Sequence, residues 1–144
     1  MKYDDASWHS GGNFPKDLPA IAGATHIGMY LAWALFAGLG SSLHADKSDD
    51  IKRLSGRAIT PGAFFLWACD GKLTDDDFND EGNAFTERYF DTPEQPYLSD
   101  YEAVFGDDLP GGAESLYYVE DSWENFEKLR PVLDRRLADW RALG

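Results

Sequence analysis

The run from Ile27 to Leu39 constrains the fold of this chain more than any other segment. It carries no charge, and its large apolar side chains Ile27, Met29, Tyr30, Leu31, Trp33, Leu35, Phe36 and Leu39 cover every side of a helix. A helix apolar all round belongs in the centre of a domain or in a membrane. The run falls short of the roughly 18–20 residues a membrane span needs, and Thr25 and His26 interrupt its extension backwards. The expectation is a buried central helix from about residue 25 to 43, with Thr25 as its cap.

The other segments read as shorter helices packed around it. Residues 1–23 read as an irregular strap in which Trp8, Phe14, Pro15, Leu18 and Pro19 lie over the core. Ser48 precedes Asp49 and Asp50, a capped start with acids at the positive end of the dipole. Thr60-Pro61 is a stronger start signal, and Asp70-Gly71 a stop. Thr74 opens a helix with Asp75, Asp76 and Asp77 in its first turn, and Phe78, Gly82, Phe85 and Tyr89 share one face. Ser99 caps a short helix through Phe105, and Leu116 to Val119 read as extended or linking. Phe126, Leu129, Leu133, Leu137 and Trp140 mark a final helix, started by an Asp121/Glu124 box and kinked or split by Pro131. Alternation of period two is nearly absent, as are repeats and linkers. The reading is one all-α domain over residues 1–144.

Charge bounds the function. The chain has 144 residues and a net charge of −13, which opposes binding to nucleic acid or to an anionic membrane surface. Cys69 is the sole cysteine, so no internal disulfide can form, and the expected compartment is the reducing cytoplasm. Between Tyr89 and Glu127 there is no Lys or Arg, yet acids alternate with Tyr97, Tyr101, Phe105, Tyr117, Tyr118 and Trp123. Disordered acidic tails are poor in rings. A folded acidic face for a basic protein partner follows as an expectation, with Asp76, Asp77, Asp100, Tyr101, Glu102, Asp107 and Asp108 as its binding residues.

Signatures of chemistry are weak. Asp70 to Glu81 begins and ends like a calcium loop, but Lys72 and Asp75 stand where an oxygen ligand and a glycine are needed. His9, His26 and His44 lack zinc-motif spacing, and no nucleophile elbow or phosphate loop is present. The sequence therefore nominates no catalytic residue, metal ligand or cofactor.

Several segments carry a resemblance. Tyr3-Asp4-Asp5-Ala6-Ser7-Trp8-His9, Asn13-Phe14-Pro15, the stretch from Gly23 to Trp33, Ile59-Thr60-Pro61, Asp80-Glu81-Gly82-Asn83 and Trp123-Glu124-Asn125-Phe126 together resemble a family of small uncharacterised bacterial proteins. The resemblance spans nearly the whole chain and brings no assigned activity. By analogy of size, charge and context it implies a non-enzymatic immunity protein that occludes a basic toxin. It also implies an alternative, in which the polar motif residues Asp4, Asp5, His9, His26, Asp80, Glu81 and Asn83 converge at one end of the central helix. There they either tie the strap to the core, or form a small enzyme or ligand- or metal-binding site using Asp5, His9 and His26.

Overall fold

A computed structural model describes residues 1–11, 14–45, 48–106, 109 and 115–143. Asp107 and Asp108, two of the expected binding residues, lie outside them. The described residues form a mostly helical body with one small sheet.

The central helix α2 (Thr25–Phe36) is buried continuously from Thr25 to Ala34, as an all-apolar helix requires. It ends earlier than expected. Gly38 takes φ +81°, its N–H donates to Leu35 O, and Leu39 N–H donates to Ala34 O at 2.9 Å. This is a Schellman closure, which only a left-handed residue permits. Thr25 does not cap α2, because a 3-10 turn at Ala20–Ala24 leads straight into it.

The helix α5 (Pro61–Ala68) crosses α2 at close range. A Cβ on Gly28 would stand 2.6 Å from Pro61 O and 2.7 Å from Gly62 Cα, so two glycines let the backbones touch. Thr60 caps α5 through Ala63 N–H, and Asp70 (φ 55°) and Gly71 (φ 69°) end it, as expected. Asp121, read as part of a capping box for the last helix, instead caps α5. Its carboxylate accepts Gly62 N–H at 3.0 Å and Thr60 Oγ1–H at 2.5 Å. Ser122 caps α8 (Trp123–Leu143) by accepting from Asn125 N–H. The helix α8 runs unbroken across Pro131 and buries Phe126, Leu129, Leu133 and Leu137.

Three further expectations need correction. The amino-terminal residues are not all irregular: β1 (Lys2–Asp5) pairs antiparallel with β2 (Lys72–Thr74), and α1 (Ala6–His9) follows at once. Trp8 does not cover the core; it is 59% exposed, with Lys2 Nζ over its ring. Asp75–Asp77 form a 3-10 turn, and α6 (Asp80–Tyr89) begins only after Asn79, whose side chain caps Gly82 N–H. The short helices α3 (Ser42–Ala45), α4 (Ser48–Ser55) and α7 (Pro96–Phe105) and a 3-10 turn at Ser115–Tyr118 complete the described elements. Among the described residues no helix is long and apolar enough to cross a membrane.

Candidate functional site

Three elements bring Asp4, His9 and His26 together: the end of β1, the end of α1 and the first turn of α2. The antiparallel pairing of β1 with β2 holds Asp4 opposite Leu73, and Asp5 caps α1 by accepting from Ser7 N–H at 2.9 Å. That cap sets the turn that carries His9 back over Asp4. Gly23 completes the approach, since a Cβ there would meet His9 Cβ at 3.1 Å.

The contacts within the cluster are short. His9 Nε2 lies 2.8 Å from Asp4 Oδ1, and His9 Nδ1 lies 2.7 Å from the Tyr117 hydroxyl. His26 Nε2 is 3.8 Å from Asp4 Oδ2, and its ring meets that of His9 edge-on at 4.5 Å between centroids. One donor atom from each of the three residues falls within 4.8 Å of the others.

His26 is the unusual member. It is 1% exposed, and neither ring nitrogen has a hydrogen-bond partner among the described residues. Burial, and secondarily the neighbouring His9, holds its imidazole well below the ordinary range, so it is neutral. A neutral imidazole offers one N–H and one lone pair, and leaving either buried and unpaired costs about 1–3 kcal/mol. Its backbone, by contrast, is satisfied, since Tyr97 Oη donates to His26 O at 2.5 Å.

Asp4 and His9 open onto a cleft of about 490 Å³, with His26 behind them. Rings of Tyr3, Trp8, Phe90 and Tyr97 line it, beside the polar Asp91 and Gln95. The size and the mixture of rings with a few polar groups are those of small-molecule sites.

The remaining motif residues do not join the cluster. Asp5 faces Lys2 (2.8 Å) and Ser7; chiefly the Lys2 contact holds its carboxyl down at about 2. Glu81 is exposed and pairs with Arg141, and Asp80 is exposed on the first turn of α6. Asn83 serves the fold: it accepts from Tyr3 Oη at 2.6 Å and donates to Asp75 O and Phe78 O.

The acidic face is thinner than its sequence implied. Asp77 is 4% exposed and Tyr101 is fully buried, so neither is available to a docking partner. Asp100 accepts from Nε and Nη2 of Arg136, at 2.8 and 2.9 Å, and from Tyr89 Oη. Asp76 and Glu102 remain exposed. The alternation of rings and acids reflects helices whose rings, including Tyr89, Tyr97 and Phe105, are core.

A second grouping was not foreseen. His44, Cys69 and Asp77 also place donor atoms within 4.8 Å of one another. The signal was absent because these residues lie 25 and 8 positions apart on three different elements.

Residues 2–119 match the model of a domain of unknown function, DUF7832, which covers more than half of the chain. The chain belongs to that family. No curated protein and no solved structure matches it.

Proposed function

We propose that this protein binds a divalent transition metal through Asp4, His9 and His26, and that the adjoining cleft brings a small ligand to the open positions of the ion. The observation that carries this reading is His26, buried with both nitrogens unpaired beside a carboxylate and a second imidazole. Tying the strap to the core accounts for Asp4, His9 and Tyr117, whose hydrogen bonds are made, but not for His26. Two imidazoles and one carboxylate suit zinc, iron, manganese or cobalt, and leave coordination positions free. A bound ion would take the place of the proton between His9 and Asp4. Nδ1–H of His9 would then donate to Tyr117 Oη, the outer contact that commonly orients a metal-bound imidazole.

Calorimetric titration of chelator-stripped protein with Zn²⁺, Mn²⁺ and Co²⁺ tests the proposal. Binding is expected in the wild type and weakened more than about tenfold in Asp4→Asn and His26→Gln, each checked for an unchanged circular dichroism spectrum. A wild type that takes up none of these ions, or variants that bind as tightly, would remove the site.

A second reading rests on a different face. Asp75, Asp76 and Asp80 surround a concavity of about 470 Å³ with Ser41, Leu43 and Phe78. Asp75 is paired with the amino terminus at 3.0 Å, while Asp76 and Asp80 are exposed. This supports the immunity proposal in a narrower form, with a basic partner docking at residues 75–80 rather than across the 89–127 segment. Capture of one basic protein in near-equal amount, lost in Asp76→Lys/Asp80→Lys, is the expected result. Equal capture by that variant would rule the face out.

A further inference from the structure

The geometry points to a second metal site, formed by His44, Cys69 and Asp77, in which a zinc ion ties three segments of the fold together. His44 lies on α3, Cys69 at the carboxyl end of α5, and Asp77 closes the 3-10 turn after β2. His44 Nε2 is 3.0 Å from Asp77 Oδ1, and Cys69 Sγ is 3.8 Å from the same oxygen. Zinc bonds of about 2.0 Å to nitrogen and oxygen and about 2.3 Å to sulfur place tetrahedral N–O and S–O edges at about 3.3 and 3.5 Å. The observed separations bracket those edges, so small shifts would admit the ion.

The carboxylate is held for this purpose. Asp77 Oδ2 accepts Thr74 N–H at 2.8 Å within a capping box, which leaves Oδ1 for the cluster. Ser41 anchors the start of α3 to the same turn, donating from N to Asp77 O and from Oγ to Asp76 O. His44 and Asp77 are 3% and 4% exposed. Among the described residues the other ring nitrogen of His44 has no hydrogen-bond partner, and the imidazole makes its hydrogen bond on the side of Asp77. The thiol donates to the same carboxylate oxygen that faces the imidazole, so the three groups converge on one point. Thiolate, imidazole and carboxylate suit Zn²⁺ and leave the fourth position to water.

Cobalt separates this site from the one at Asp4, because only this cluster contains sulfur. Titration of chelator-stripped protein with Co²⁺ should produce a thiolate-to-metal charge-transfer band. The band should vanish in Cys69→Ser, weaken at least about tenfold in apparent affinity in His44→Gln and Asp77→Asn, and persist in Asp4→Asn and His26→Gln. Zinc should also raise the melting temperature of the wild type more than that of Cys69→Ser, whose metal-free melting checks that it folds. Absence of the band at saturating cobalt, or a band of unchanged affinity in both His44→Gln and Asp77→Asn, would overturn the site whatever the outcome at Asp4.

Discussion

The segment from residue 89 to 127 and the amino-terminal cluster both hold carboxylates, and the fold uses them in opposite ways. In the first, several of the described carboxylates are matched by groups of the chain itself. Arg136 grips Asp100, Arg57 and Arg130 meet Glu127, and Asp121 caps α5. In the second, the single carboxylate of Asp4 stands between two imidazoles, one of them unpaired. A dense run of acids thus marks helix surfaces and ties, whereas at the amino-terminal cluster one acid meets a buried and a partly buried histidine, the arrangement on which the proposed metal site rests.

The largest expected effect comes from the scaffold beneath the cluster. Gly28 lies two positions beyond His26, and Gly28→Val would drive side-chain atoms into the α5 backbone. A loss of about 3 kcal/mol in urea unfolding is expected; a stable variant would show that α2 and α5 do not cross so closely.

Asp121→Ala tests whether the acidic segment is structural. It strips Gly62 N–H and Thr60 of their acceptor and should cost about 1–3 kcal/mol. Neutral stability would return Asp121 to the list of free surface acids.

Acid should act through His26. Its folded pKa is depressed, so as pH falls below about 6.5 the unfolded chain takes up a proton that the metal-free folded protein does not. Stability conferred by keeping the ring neutral is full above that pH and is lost below it, by up to about 1.4 kcal/mol per pH unit. His26→Gln should flatten the slope of unfolding free energy against pH by that amount. An identical slope would place a charged or solvated imidazole at position 26.

The smallest effect belongs to the acidic surface. A double-mutant cycle on Asp100→Asn and Arg136→Gln should give a coupling of about 0.2–1 kcal/mol, because Arg136 is half exposed. A coupling several times larger would make the pair part of the core.

Much of the architecture is legible in the sequence where local physics decides it. The apolar surround of α2, the Thr60-Pro61 start, the Asp70-Gly71 stop and the face of Phe126, Leu129, Leu133 and Leu137 all hold. The sheet escapes notice because strands of four and three residues are too short to show alternation. The first turn of α6 shifts because Thr74 and Asp77 close a capping box of their own, and Phe78 then stays extended. At the site, Asp4, His9 and His26 stand among the motif residues, but nothing in their order separates them from Asp5, Glu81 and Asn83. That separation depends on which side chains meet across β1, α1 and α2. Tyr101 misleads for the converse reason: acids flank it in sequence, while helical geometry turns its ring inward.

The most direct test is an anomalous difference map from crystals of the full chain grown with zinc. The account predicts a peak about 2.0–2.2 Å from donor atoms of Asp4, His9 and His26, absent in His26→Gln. A map with no peak among these three residues, at zinc concentrations that saturate binding in solution, would contradict it.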